Sequence, residues 1–204
     1  MSAASIFARG WVALWVVAAG CGGDGPTEPA ALSGSISFTY SGSETGSFQA
    51  TGRLDPFRSG PYRDGAAAIR DRYAGVETMI VLGIQMRSSV RADLLFLSFP
   101  AVTTPQTLPL SDFECPSGGG PCTLTLYGNS FGINVPVASG PPVFFFDAEN
   151  DYHFTGGTVT VASVTGARIT GSFQGTAETQ PFSGPPRVIT VTNGRFDVPI
   201  VRYP

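Results

Sequence analysis

The stretch that decides the fold runs from Arg168 to Val201, RITGSFQGTAETQPFSGPPRVITVTNGRFDVPIV. Apolar residues recur at every second place, and little in it repeats with helical period. Ile169 and Phe173 share one face of Arg168–Ala177, with Ser and Gln on the other. Arg187–Thr192 and Arg195–Val201 alternate in the same way around Asn193-Gly194. That dipeptide suits a type I′ turn, where both central residues need positive φ, so the two runs are expected to be the arms of a hairpin.

Working outward, the same period appears almost everywhere after residue 30. Ser35–Tyr40 carries Ile36, Phe38 and Tyr40 on one face, and Ala92–Phe99 carries Leu95, Leu97 and Phe99. Val76–Met86 is a longer β-branched run, and Thr123–Tyr127, Phe131–Val137, Val143–Phe146 and Thr158–Val164 are shorter segments. Gly- and Pro-rich loops separate them. About nine to ten strands in this pattern imply an all-β fold, an antiparallel sandwich or barrel. One stretch departs from it. Asp55–Tyr73 mixes Arg and Asp with Gly and Pro and reads as a surface loop, with one or two helical turns over Ala66–Arg72 as the other reading. A short echo, Thr45-Gly46-Ser47-Phe48-Gln49 and Thr170-Gly171-Ser172-Phe173-Gln174, suggests two strands in which Gly lets a neighbouring ring come close.

Composition narrows the function classes. The 204 residues are 42% hydrophobic and 13% charged, with a formal net charge of −3. That excludes a disordered chain. All 12 basic residues are Arg, and no basic surplus exists to neutralise phosphates, so no nucleic-acid partner is expected.

The N-terminus addresses the chain. Arg9 precedes the apolar run Trp11–Gly20, which as a helix spans roughly 15 Å, half a bilayer core of about 30 Å. Residues 1–20 therefore read as a signal peptide. Ala18-Ala19-Gly20-Cys21 resembles the lipobox of bacterial lipoproteins, which implies that Cys21 is acylated and becomes the mature N-terminus. The other reading is an ordinary secretory signal with an incidental Cys. Residues 21–31 read as the lipidated Cys and a Gly/Pro-rich tether, and 32–204 as one all-β domain. Gly22, where Asp would favour inner-membrane retention, leans toward the outer membrane.

Cys115 and Cys122 bracket a Gly-rich hexapeptide. In an oxidising compartment they are expected to form a disulfide closing a short loop, worth about 2.5 kcal/mol. Free thiols and a metal site are the alternatives, and the only His, His153, lies far along the chain. His153 reads as a strand-end residue rather than a ligand.

The C-terminal third carries a further resemblance. Gly156-Gly157-Thr158-Val159-Thr160-Val161, Arg168-Ile169-Thr170-Gly171-Ser172-Phe173 and Val188–Val198 together resemble a family of uncharacterised bacterial lipoproteins. Its members share a Gly-rich strand, an I-(S/T)-G-(T/S)-F strand and a closing (V/I)-T-(V/I)-T-(N/D)-G-x-F-D-V hairpin. The resemblance implies a lipidated all-β domain and transfers no catalytic residue. Asp197 within it is expected to be exposed, or paired with Arg195 or Arg187.

Catalytic sets are thin. A serine nucleophile needs a base, and the chain has no Lys and a solitary His. Asp147, Glu149 and Asp151 lie within five residues, dense enough to be a weak Ca²⁺ candidate or the carboxylates of a hydrolase, for example one acting on glycans. The competing reading is a solvated hairpin turn. The sequence as a whole points to a lipid-anchored, non-enzymatic envelope domain without cofactor. Its expected partners are the membrane, through the lipid, and a protein or small apolar ligand.

Overall fold

In the computed structural model, residues 33–56, 63–73, 76–110, 129–137, 150–181 and 183–201 are described. Their regular structure is all strand: β1 (Gly34–Gly42), β2 (Gly46–Gly52), β3 (Gly65–Tyr73), β4 (Val76–Ser88), β5 (Arg91–Pro100), β6 (Gln106–Pro109), β7 (Ser130–Pro136), β8 (Asp151–Val164), β9 (Arg168–Thr179) and β10 (Val188–Val201). The expected segments Thr123–Tyr127 and Val143–Phe146 lie outside the described residues.

Pairing closes a barrel. β10, β3, β4, β5, β7, β8 and β9 form a ring of seven strands, with β9 bonded to both β8 and β10. The one parallel joint of the ring is short, Ile200 and Val201 of β10 against Ala68 and Ile69 of β3. Further up, the same edge of β10 is taken by β1, which in turn pairs β2. On the other side, β8 divides one edge between β7 and the short β6.

The alternation in the sequence becomes the two faces of the wall. β1 buries Ile36, Phe38 and Tyr40 and exposes Ser35, Ser37 and Thr39. Inside, rings from separate walls meet. Phe38 of β1 stacks on Phe48 of β2 at 4.9 Å and meets Phe131 of β7 edge-on at 4.8 Å and Phe173 of β9 at 5.5 Å. Such pairs each add about 0.5–1.5 kcal/mol beyond the area they bury. They tie the hairpin β1–β2 to the far side of the ring. A second, smaller cluster of Ile69, Leu82 and Phe96, with Leu54 and Ile80, forms on the other face of β3–β4–β5. Both faces of β4 are thus buried, which is why Val76–Met86 reads as a nearly continuous apolar run.

The echo has a packing reason. Gly171 of β9 lies opposite Phe196 of β10, and Gly194 of β10 lies opposite Phe173 of β9. A Cβ on Gly194 would come within 2.8 Å of the Phe173 ring, and one on Gly171 would fall 2.9 Å from Cε1 of Phe196. Each glycine is the floor for the partner strand's ring. The same device recurs in β1–β2, where Gly46 lies opposite Tyr40.

Two expectations are corrected. Asn193-Gly194 does not turn a hairpin; β10 runs unbroken through it. Only Asn193 takes positive φ, 57°, where a type I′ turn needs two such residues. One extra residue is accommodated on β10 against both neighbours, between Val191 and Gly194 facing β9 and opposite Ser37–Thr39 of β1. The result is a β-bulge. It switches which residues point inward, from Ile189 and Val191 to Phe196 and Val198.

The second correction concerns Ala66–Arg72, which is neither loop nor helix but most of β3. Ala66, Ala67 and Ala68 are all fully buried. Alanine is the best helix former by propensity. Here three in a row are buried completely, because β3 lies between the barrel interior and the second cluster. Tertiary packing overrides the local preference.

Candidate functional site

Two ends of the barrel differ in chemistry. At one end the chain enters. Arg168 of β9 donates from Nη2 to the Ser33 carbonyl at 3.1 Å and to the Asp197 carbonyl at 3.2 Å, and its Nε bonds the Asp197 carboxylate. Asp197 is thus exposed and paired as expected of it, but with Arg168 rather than Arg195 or Arg187. This clamp holds the residue just before β1 against β9 and β10.

At the other end, ten residues along the chain, polar side chains gather around the β1–β2 turn. Tyr152 of β8 is fully buried, and its hydroxyl donates to Glu44 Oε1 at 2.9 Å. Arg187, just before β10, donates from Nη1 to the same oxygen and from Nη2 to Asn150 Oδ1 at 3.3 Å. Its guanidinium also lies 5.5 Å from the centre of the Tyr152 ring, within cation–π range. Beside this group stands a second ion pair. Asp93 of β5 is fully buried; Arg87 of β4 gives it Nε at 2.8 Å together with Nη2, and the Asn134 amide donates to its other oxygen at 2.8 Å. Asn134 presents that amide from a left-handed conformation, φ 54°. The Arg87 head continues to the Ser47 carbonyl at 3.5 Å. Gln85 Oε1 accepts from the Gln49 amide at 3.1 Å. Side chains of β4 therefore occupy main-chain groups of β2 that no strand pairs, which blunts an open sheet edge.

Tyr40 completes the cluster. Its ring is in the core, and its hydroxyl lies over Gly46, where a Cβ would approach to 2.5 Å. Burial first, then the Asp93 and Glu44 charges, push the Tyr40 phenol above its ordinary range, against the opposing pull of Arg87. Burial and the bond to Glu44 raise Tyr152 further still. Both phenols are therefore held in the protonated form, and that of Tyr152 donates to Glu44.

This has a consequence for stability. A tyrosine whose folded pKa is raised keeps its proton while the unfolded chain loses it above the ordinary value of 10.0. Stability is then complete below pH 10 and falls as pH rises through the alkaline range. Tyr152→Phe is expected to flatten that fall. Melting temperatures of both proteins from pH 8 to 11.5 check it; parallel curves would contradict the role given to Tyr152.

The site residues expected from sequence fare differently. Cys21, Cys115, Cys122, Asp147 and Glu149 lie outside the described residues. Asp151 does not sit in a solvated turn: it opens β8, is 4% exposed, and its Oδ1 occupies the space where a Cβ on Gly132 would lie. Among the described residues no group of three or more His, Cys, Asp or Glu could hold a metal ion. His153, third in β8, is half-buried between Ser130 of β7 and Glu178 of β9, near the strand end as expected. Also among the described residues, no helix is long and apolar enough to cross a membrane. The Glu44, Arg87, Asp93 and Arg187 cluster was not anticipated. Its one signal was parity: Asp93 shares the inward phase of Leu95, Leu97 and Phe99. No protein-family model, curated protein or solved structure matches the chain.

Proposed function

We propose that this chain is a lipid-anchored domain of the bacterial cell envelope, held at the outer membrane through Cys21, and that it binds rather than catalyses. The observation that carries the reading is the separation of the two ends. Ser33, where the chain from Cys21 arrives, is clamped by Arg168 at one end of β1. The polar cluster around Glu44 stands beyond the other end of that nine-residue strand, about 30 Å away at roughly 3.3 Å per residue. An anchor at residue 21 would keep the Arg168 end near the bilayer and present the Glu44 end away from it. The lipobox-like Ala18-Ala19-Gly20-Cys21 and the resemblance of the C-terminal third to bacterial lipoproteins support the address.

The binding role is favoured over a carboxylate-dependent hydrolase by the state of the two carboxylates at the polar end. Glu44 and Asp93 are each held by an arginine, whereas a glycosidase general acid needs its pKa raised, not its charge neutralised by a cation. The interior favours a surface role over an apolar-ligand chamber, because rings from separate walls meet there. Phase partition in a cloud-point detergent tests the anchor. Protein made in a double-membraned bacterium is expected in the detergent phase, and Cys21→Ser in the aqueous phase. Equal partition of the two would overturn the anchor.

A further inference from the structure

The Tyr40 hydroxyl is the unassigned group of the polar end. Tyr40 is only 6% exposed, and among the described residues nothing hydrogen-bonds its hydroxyl, which is not one of the fully buried polar atoms and so is the part of the side chain that reaches solvent. What surrounds it is built from the β1–β2 turn. The hydroxyl lies on Gly46. The Arg87 guanidinium lies on the adjoining Ser47 carbonyl. Glu44 is two residues before Gly46; its Oε1 is taken by Tyr152 and Arg187, and among the described residues nothing takes its Oε2. Arg87 gives Nε and Nη2 to Asp93 and Ser47, and among the described residues nothing takes its Nη1. A donor that can also accept, a pure donor and a pure acceptor thus converge, and the side chains of Arg87 and Glu44 are 42% and 31% exposed.

Charge selects the ligand. Two guanidinium groups and two carboxylates sum to zero, so a free anion meets Asp93 and Glu44 and a free cation meets Arg87 and Arg187. A neutral molecule with adjacent hydroxyl groups suits the set: one hydroxyl accepts from Arg87 while donating to Glu44, and its neighbour exchanges a bond with Tyr40. Gly46 matters because any larger residue there would displace the phenol.

We propose that the β1–β2 end of the barrel is a saccharide-binding site, in which the Tyr40 hydroxyl, Arg87 Nη1 and Glu44 Oε2 hold vicinal hydroxyl groups of a neutral sugar. This rests on the reading of the chain as a binding domain of the envelope and names the ligand class that the reading leaves open.

The test uses the full chain in micelles of a sugar-free detergent, titrated with cellobiose and with diacetylchitobiose by saturation-transfer NMR and calorimetry. Binding of at least one disaccharide is expected. Tyr40→Phe keeps the ring in the core and removes only the hydroxyl, so it should weaken binding about tenfold while the Tm moves by less than about 3 °C. Glu44→Gln should weaken it as well. Binding of neither disaccharide, unchanged affinity in Tyr40→Phe, or displacement of the sugar by sodium acetate would each overturn the site. Acyl analysis of the same preparation separates the two claims. Sugar binding by a chain without lipid refutes the anchor and leaves the site standing; lipid without sugar binding refutes the site alone.

Discussion

Asn193→Val destabilises the barrel, whereas deletion of Asn193 leaves it cooperatively folded. Asn193 is the extra residue of β10 against both β1 and β9. Without it, Ile189, Val191, Gly194, Phe196 and Val198 fall on one alternation and all point inward. With it, a regular strand that lost the bulge could keep only one set: if Phe196 and Val198 stay inside, Ile189 and Val191 turn outward and Thr190 and Thr192 face the core; the reverse choice exposes the two C-terminal residues. Ile189, Val191 and Val198 are fully buried and Phe196 is 3% exposed. Either register thus exposes two large apolar side chains, at about 1.5–3 kcal/mol each, and buries hydroxyls or charges in their place. That sum is comparable to the whole stability of a domain, about 5–15 kcal/mol. Substitution separates geometry from chemistry. Asn193→Gly keeps the left-handed conformation and should change stability by less than about 1 kcal/mol. Asn193→Val, β-branched at φ 57°, should lose roughly 2 kcal/mol. Circular dichroism and thermal melts of the three variants check the order. A deletion variant that fails to melt cooperatively, or an Asn193→Val variant as stable as the wild type, would show that the bulge does not set the phase.

Gly171→Ala carries the second large effect. A Cβ at Gly171 would be blocked on two sides, by the Thr160 carbonyl of β8 and by the Phe196 ring of β10. The ring is enclosed and the carbonyl belongs to a central ladder, so neither can swing away. Overpacking of a tight site costs about 1–3 kcal/mol, occasionally more, and this site belongs at the upper end. For a domain of this size about 3 kcal/mol lowers the Tm by roughly 6–12 °C. Gly171→Ala with Phe196→Leu should not recover, because the backbone contact with Thr160 persists and the smaller core residue adds its own loss. Gly166→Ala, in the β8–β9 turn with nothing within 4 Å of a Cβ, is the control expected to be near neutral. Equal melting temperatures for Gly171→Ala and Gly166→Ala would contradict the packing account of the glycine–aromatic pairs.

Much of the wall was legible in the sequence because most strands have one wet and one dry face. Ser35–Tyr40, Ala92–Phe99 and Arg168–Ala177 announce β1, β5 and β9 by alternation alone. Legibility fails where a strand has no wet face or where the chain changes phase. The alanines of β3 are buried in a row between the barrel interior and the second cluster, so their local preference for helix misleads. Asn193-Gly194 reports a left-handed residue, and a turn and a bulge both need one; what distinguishes them is the pairing of β10 with both β1 and β9 along its length. β6 is four residues long, too short to show a period.

The polar end was harder to foresee, for a similar reason. Glu44, Arg87, Asp93, Tyr152 and Arg187 come from separate parts of the chain, and only closure of the ring brings their strand ends together. Each is ordinary alone. Asp93 and Tyr40 carry a trace in their inward phase, among Leu95 and Leu97 and beside Ile36 and Phe38. A charged or phenolic group on an apolar face must meet a partner at the end of its strand, and the sequence does not say which. The clamp of Arg168 on Ser33 is equally silent, since its acceptors are a carbonyl before β1 and an acid on β10.

The proposed envelope address and the proposed orientation of the barrel both follow from an anchor at Cys21. Mass spectrometry of the N-terminal peptide of the mature protein, isolated from membranes of a double-membraned bacterium, measures it directly. The predicted peptide begins at Cys21 and carries the added mass of a diacylglyceryl group. A mature chain that begins at any other residue, or an unmodified Cys21, would contradict it.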